Sequence, residues 1–530
     1  MHRSLPPRPD PESDRKRAKS LRKGHAAAAP QALERIAVHH PRLRGKAPAE
    51  VAAAPFKLAD AQLVVAREYG IDSWPRLIAL IDFLREDHAR REALFLAAAV
   101  DDRPKPAADM LAHAPQLADA SLQAACATAN AARVEALLAR NARGATADDG
   151  PLGAPPLWTL CWSNLRADAD DDEARATIAR HLLAAGADPD CSAERDASWG
   201  RHRFGALYGA IDNRRPELAR VLLEAGADPS DGESLYHAAE HPDTRCIELL
   251  LQHGASLEPK GNAMVRALDQ PGTERARLLL AAGADVNARC GPMFEHMPLH
   301  HVARRGWGLD VVDLLLEHGA ELEVKDPEGR TPYQLAMLHG NRAIAEHLRT
   351  RGADPATDRR QELVAACVVG DREGAQRVLD GGATRIEDLD ETDHAMLVIA
   401  AGRGFTEGVQ LMLDLGFPLE TVGGEWWGTG LNVAAGAGHP ETMQVFLDRG
   451  ADPELENRHG GTALGAVAWL STHWGNDDVF ARGRTEAQRQ RALVECVDRL
   501  VAAGAAVHDR HVVNASPEVA EALRRHGASG

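Results

Sequence analysis

Apolar residues along this chain recur in the rhythm of paired short helices, not in the strict alternation of strands. The clearest unit is Leu-Leu-x-x-Gly-Ala-Asp: HLLAAGADPD ends at Asp190, VLLEAGADPS at Ser230, LLLAAGADVN at Asn287 and VFLDRGADPE at Glu454. Each closes an amphipathic segment of the type Ile344-Ala345-Glu346-His347-Leu348, and its glycine suits a left-handed C-cap. A second phrase lies upstream, as Thr331-Pro332-Tyr333-Gln334-Leu335-Ala336 and Met297-Pro298-Leu299-His300-His301-Val302-Ala303. Thr331 predicts an N-cap, and Pro332 sits where its missing N–H costs nothing, so a first, shorter helix begins there. The two phrases hold register. Leu207 to Gly226, Leu235 to Gly254, Met264 to Gly283, Tyr333 to Gly352, Leu363 to Gly382, Leu397 to Gly416 and Leu431 to Gly450 are each 19 residues apart. Leu122 to Asn141 keeps the spacing, with asparagine in the glycine's place.

Neither helix of such a pair buries its apolar face alone, so the units must stack. The T-P-L-H-x-A phrase, at a period near 33, resembles the ankyrin repeat. The resemblance covers residues 91–530 and implies an all-α solenoid of stacked helix-turn-helix repeats with short β-hairpin fingers, about twelve units in all. Weaker units run from Leu94 to Ala114 and from Leu464 to Gly504, and a partial C-terminal cap spans Ala522 to Ala528. A regular array places the next leucine anchor about 14 residues after the capping glycine. Gaps of 9, 10 and 11 residues after Gly226, Gly254 and Gly352 predict clipped fingers, and the gap of 21 from Gly186 to Leu207 predicts a long one. Two insertions fall inside units: RADADDDEA (Arg166 to Ala174) and THWGNDDVFARGR (Thr472 to Arg484).

Residues 1–50 read differently. They combine prolines with Arg15-Lys16-Arg17-Ala18-Lys19-Ser20-Leu21-Arg22-Lys23 and are expected to form a basic, partly disordered arm. Residues 51–90 form a helical N-terminal module: Leu58-Ala59-Asp60-Ala61-Gln62-Leu63-Val64-Val65-Ala66-Arg67-Glu68-Tyr69-Gly70, then a helix capped by Ser73. This DAQLVxAREYG…SWPRL phrase is similar to the module that precedes the repeats in many bacterial ankyrin-repeat proteins. A DNA-reading helix-turn-helix is disfavoured, because Trp74, Leu77, Ile78, Leu80, Ile81, Phe83 and Leu84 leave Arg76 as a lone polar reader. The module is expected to cap the repeats.

Composition fits an array. The chain has 530 residues, too many for one ordinary core, and only 22 aromatic rings. Its net charge is −17, but residues 1–50 carry twelve Lys/Arg against five Asp/Glu, leaving about −24 on the remainder. That body repels polyanions, so nucleic acid is an unlikely general partner. Seven cysteines stand singly, without C-x-x-C, and predict reduced thiols. No apolar run has the length of a signal peptide core or a membrane span, so a cytoplasmic location is expected. The excess of Arg over only eight Lys points to a bacterial genome.

No phosphate loop, H-E-x-x-H or G-x-S-x-G occurs, and Gly428-Thr429-Gly430 lacks the third glycine of a dinucleotide fingerprint. Glu295, His296, His300 and His301 are the nearest approach to a metal set, but His300 occupies the ankyrin histidine position, where local hydrogen bonding is its ordinary role. No catalytic residue, cofactor or metal is assigned. Repeat arrays bind through the concave face of fingers and first helices, where rings and arginines concentrate energy. The candidate partner surface comprises Trp199, Arg201, Arg203 and Phe204 on the long finger, Phe294, Trp426 and Trp427 on two others, and Trp158, Tyr208 and Tyr236 on first helices. The alternative for each ring is to brace one finger against the next. The expected function is a non-catalytic scaffold that binds another protein. A regulator touching nucleic acid through its basic arm is the first alternative, and an enzyme with an undetected site the second.

Overall fold

In the computed structural model, residues 3–6, 9–101, 105–148, 150–165, 169–197, 200–257, 263–269, 271–289, 297–424, 428–473 and 484–528 are described. They form helix pairs throughout and two small antiparallel hairpins. The chain divides into two compact units, Met1–Ser256 and Leu257–Gly530.

The first unit opens with five helices: α1 (Pro11–Ala26), α2 (Pro30–His39), α3 (Pro48–Ala53), α4 (Leu58–Glu68) and α5 (Trp74–Arg85). The expectation of a partly disordered arm is therefore corrected over residues 11–39. The reason lies on the inner face of α1, where Asp14, Ala18, Leu21 and His25 recur at helical spacing and are all buried. Arg17 donates to Asp14 (2.7 Å) and Glu68 (2.6 Å), Arg35 donates to Glu68 (2.6 Å), and the Tyr69 hydroxyl donates to Asp14 (3.0 Å). These bonds lock α1 and α2 onto α4. At Gly70 (φ +81°) the chain turns into α5, whose Leu77, Leu80, Ile81 and Phe83 are buried. The apolar core runs unbroken from Ala18 and Leu21 through Phe95 and Leu96 to Leu117, Ala124 and Leu165. The module and the first repeats thus share one interior.

The acidic insertion lengthens a second helix. Residues 166–168 lie outside the described set, but 169–174 form the first turns of helix Ala169–Ala184, sixteen residues long. Asp171 and Arg175 of this helix are buried and paired at 2.8 Å. The Arg175 guanidinium also donates to the carbonyls of Leu160 (2.9 Å), Leu165 (2.8 Å), Ala127 (3.1 Å) and Cys126 (3.3 Å). Arg215 lies beside it, 3.5 Å from Asp171, and donates to Ser163 O at 2.6 Å. Asp172 caps the next second helix, Pro216–Glu224, by accepting from the N–H groups of Glu217 and Leu218.

Both units repeat one inter-repeat rung. The side chain four residues after a capping glycine accepts from the backbone N–H two residues after the next capping glycine. Asp190 takes Asp228 N and Ser230 takes Ser256 N in the first unit; Asn287, Glu323, Glu420 and Glu454 take Glu321, Asp354, Asp452 and Ala506 N in the second, all at 2.7–3.2 Å. Two consecutive steps lack it among the described residues. Ala356 and Ile386 occupy the acceptor position there, and Pro418 has no N–H to offer. At the first of these steps a crevice of about 240 Å³ opens between the helix pairs of residues 332–350 and 359–380, lined by Tyr333, Met337, Arg342, Glu362 and Arg377. The core of the second unit is continuous regardless, from Leu338 to Ala528.

The long finger exists as β1 (Ser192–Ala197) and β2 (Gly200–Gly205), in register from Ser192↔Gly205 to Ala197↔Gly200. A shorter one pairs β3 (Val422–Gly423) with β4 (Gly428–Thr429). Residues 227–233 and 353–358 pass between helices without strand pairing, as the clipped spacings predict.

Candidate partner-binding surface

The long finger stands on rings. Pro156 starts the first helix Pro156–Trp162, which aims two indoles at the following finger. Trp158 Nε1 donates to Phe204 O (2.8 Å) and Trp162 Nε1 to Gly205 O (3.0 Å). Trp162 packs on Phe204 and Tyr208 with centroids 5.6 and 5.1 Å apart. Its other neighbours are Arg195, 4.5 Å from the ring centroid, and Gly209, where a Cβ would come within 2.7 Å of the indole. Arg195 reaches onward to Val100 O at 2.7 Å. Trp158, Phe204 and Tyr208 are consequently buried, facing one another and not solvent. Of the sequence-derived candidates, these three serve as braces in the structure.

Arg201 and Arg203 remain exposed, and they stiffen the hairpin from outside. Arg201 pairs with Glu194 across the strands at 3.0 Å, while Arg203 donates to the Ser192 carbonyl and hydroxyl. Tyr236, half-buried, meets His237 edge-on at 5.0 Å. Trp199, Phe294, Trp426 and Trp427 lie outside the described residues.

His237 stacks on Tyr208 at 4.5 Å. Burial opposes its charge, but Glu233 and Glu240, at 3.5 and 3.4 Å, outweigh it and raise the imidazole pKa to about 9. Burial and the neighbouring Asp212 and Glu233 push the Tyr208 hydroxyl well above the usual phenol range. His300 and His301 make local contacts. His300 Nε2 lies 3.1 Å from the carbonyls of Val324 and Arg330, and His301 Nε2 lies 2.8 Å from Asp269. Burial lowers the His301 pKa against the pull of Asp269. Burial also opposes the Asp269 charge, but the His301 hydrogen bond, with Arg305 and Arg266, outweighs it and holds that carboxyl well below the usual carboxylate range. Glu295 and His296 lie outside the described residues, among which no three His, Cys, Asp or Glu converge on a metal position. Six cysteines are free and buried, with burial raising the Cys126 and Cys367 thiols to about 12; Cys290 lies outside the described residues.

Residues 264–359 match the family profile described as ankyrin repeats (3 copies). Cyclin-dependent kinase 4 inhibitor B of Mus musculus is 35% identical over 128 residues, which are 97% of that protein and 24% of this chain. The chain belongs to the ankyrin-repeat family. Ankyrin repeat and SOCS box protein 11 of Danio rerio is 34% identical over 122 residues, 22% of this chain and 39% of that protein. A solved human ASB11 ankyrin repeat domain aligns over 44% of this chain and 99% of its own, at 22% identity and a TM-score of 0.26, too loose a superposition to bear on function. These relatives are animal proteins, so the bacterial resemblance of the N-terminal phrase stands as an expectation.

In this ankyrin-repeat chain, one first-helix residue escaped the reading of the sequence. Trp469, on helix Ala463–His473, is 40% exposed, whereas Trp158 and Trp162 are 1% exposed. Nearby, Thr472 Oγ1 donates to Asn514 O at 2.9 Å, beside the exposed Val513. A signal was present. Trp469 stands five residues after its leucine anchor, where sister repeats place Gly402 and Gly436.

No helix among the described residues is long and apolar enough to cross a membrane.

Proposed function

We propose that this ankyrin-repeat chain is a non-catalytic scaffold that binds another protein through the face formed by its first helices and fingers. The observation that carries the proposal is Trp469, an indole 40% exposed on a first helix, because tryptophan in a rigid setting is a preferred anchor of interfaces. The braced finger supports it. Trp158, Trp162, Phe204 and Tyr208 fix the hairpin beforehand, so Arg201 and Arg203 lose little freedom on contact. The mouse relative is named as an inhibitor of another protein, consistent with protein-directed binding. The free, buried thiols support a reducing, cytoplasmic setting.

The test is affinity capture from the source cell, followed by titration of the identified partner against variants. Trp469→Ala, Trp199→Ala, Arg201→Ala with Arg203→Ala, and the pair Trp426→Ala with Trp427→Ala each remove one part of the face. At least one should weaken binding by roughly 2 kcal/mol, about thirtyfold, with the melting temperature unmoved. Unchanged affinity in all four would refute this surface.

A further inference from the structure

α1 carries two faces of opposite purpose. Its buried side is Asp14, Ala18, Leu21 and His25, and Arg17 is drawn inward by Asp14 and Glu68. At about 100° per residue, Arg15, Lys16, Lys19, Arg22 and Lys23 fall within an arc of about 120° on the other side, along about 12 Å of helix. All five are exposed. Arg15 pairs with Glu12; Lys16, Lys19, Arg22 and Lys23 have no ion-pair partner among the described residues. Several arginines of the unit, by comparison, are engaged in ion pairs. Arg17, Arg35, Arg42, Arg76, Arg175 and Arg215 all hold carboxylates. Three of the chain's eight lysines stand on this one stripe.

Such a stripe would cost nothing to neutralise and is not used by the fold. Because its helix is fixed by buried contacts, the cations are presented in a set order and not scattered on a flexible tail. We propose that this face of α1 is a docking surface for a short acidic segment of a partner protein, separate from the first-helix and finger face. Length and field decide the partner. The stripe spans about two turns of a facing acidic helix, whose carboxylates at i, i+4 and i+7 would oppose Lys16, Lys19 and Lys23. Residues 51–256 of the same unit carry 21 Lys/Arg against 32 Asp/Glu, so a long polyanion laid on α1 meets repulsion beyond it. A nucleic acid duplex, with one charge per about 1.7 Å, is such a polyanion. Its apolar side being buried, α1 also has nothing to insert into a membrane.

The experiment uses the full chain and fluorescence anisotropy with a labelled, glutamate-rich peptide of about twelve residues, and a DNA duplex of matching length, at about 100 mM salt. Lys16→Glu with Lys19→Glu and Lys23→Glu should weaken peptide binding at least tenfold without moving the melting temperature. The control Arg44→Glu with Lys46→Glu and Lys57→Glu, the same charge change at exposed positions off this helix, should weaken it less than threefold. Equal losses in both variants would mean that net charge alone is being read, and the docking surface would be rejected. Tighter binding of the duplex than of the peptide would reject the protein segment as partner. If the charge-reversed chain unfolds, the Lys→Gln triple variant replaces it and must still lose at least threefold.

Discussion

Arg175 offers the most exacting test of how the first unit is held. Replacing it with methionine keeps most of the volume and removes the guanidinium. Two losses follow. The carboxylate of Asp171, buried with it, loses its 2.8 Å partner and is left with Arg215 at 3.5 Å, and the carbonyls of Leu165 and Cys126 lose the donor that Arg175 supplied. Removing one partner of a buried pair typically costs about 3–5 kcal/mol, because the other charge is stranded. That is a fifth or more of the roughly 5–15 kcal/mol that holds an ordinary domain folded. Arg175→Lys should recover little, since an ammonium has three donors and no planar fork to span Asp171 and four carbonyls. Adding Asp171→Leu to Arg175→Met should recover part of the loss by removing the stranded charge. Hydrogen exchange resolved by segment is the right assay, because two compact units need not unfold together. Protection should fall first in residues 122–127 and 156–165. A cost below about 1 kcal/mol for Arg175→Met would show that water or Arg215 compensates, and the assignment of Arg175 as the unit's staple would be abandoned.

Three further outcomes are expected. Gly209→Ala places a Cβ 2.7 Å from the Trp162 indole and should cost about 1–3 kcal/mol in thermal unfolding; a neutral result would mean the finger shifts freely on its base. Ala129 adopts φ +55° where later repeats place Gly340, Gly370, Gly404 and Gly438, so Ala129→Gly should raise stability by about 0.5–1 kcal/mol in a urea titration, and a loss would contradict the strain. His237 has a folded pKa near 9, above its ordinary 6.5, so its stabilisation is complete below pH 6.5 and is lost as pH rises through about 9. His237→Gln should therefore flatten the fall in stability between pH 6.5 and 9.5; equal slopes in the two proteins would remove His237 as the cause.

The repeat was legible because its signal is periodic and redundant. Thr331-Pro332 and the glycines at Gly226, Gly254 and Gly352 each fix a local conformation that no neighbour can override. α1 was hidden for the converse reason. Its burying positions, Asp14, Ala18, Leu21 and His25, are themselves mostly polar or small, and the outward cations dominate the composition of the segment. The rings divided because residue type does not encode direction: Trp158 and Phe204 turn inward, while Trp469 is 40% exposed. Arg175 was invisible within a run of aspartates, since its partners are carbonyls contributed by three earlier segments.

The broken ladder of rungs changes how the second unit is held at two of its steps. A load carried along stacked repeats is shared between apolar contact and polar stitching, and at Ala356 and Ile386 the backbone rung is replaced by side-chain bonds: Gln334 donates to Ala356 O at 2.8 Å, Arg360 pairs with Asp390 and Asp393, and Arg372 pairs with Asp414 at 2.6 Å. The two junctions without rungs flank a single helix pair, residues 359–380, with the crevice on one side of it. The stretch bounded by Asp354 and Glu420 therefore depends on long, surface-borne side chains where the repeats on either side depend on backbone N–H groups, which makes its cohesion the more sensitive to salt.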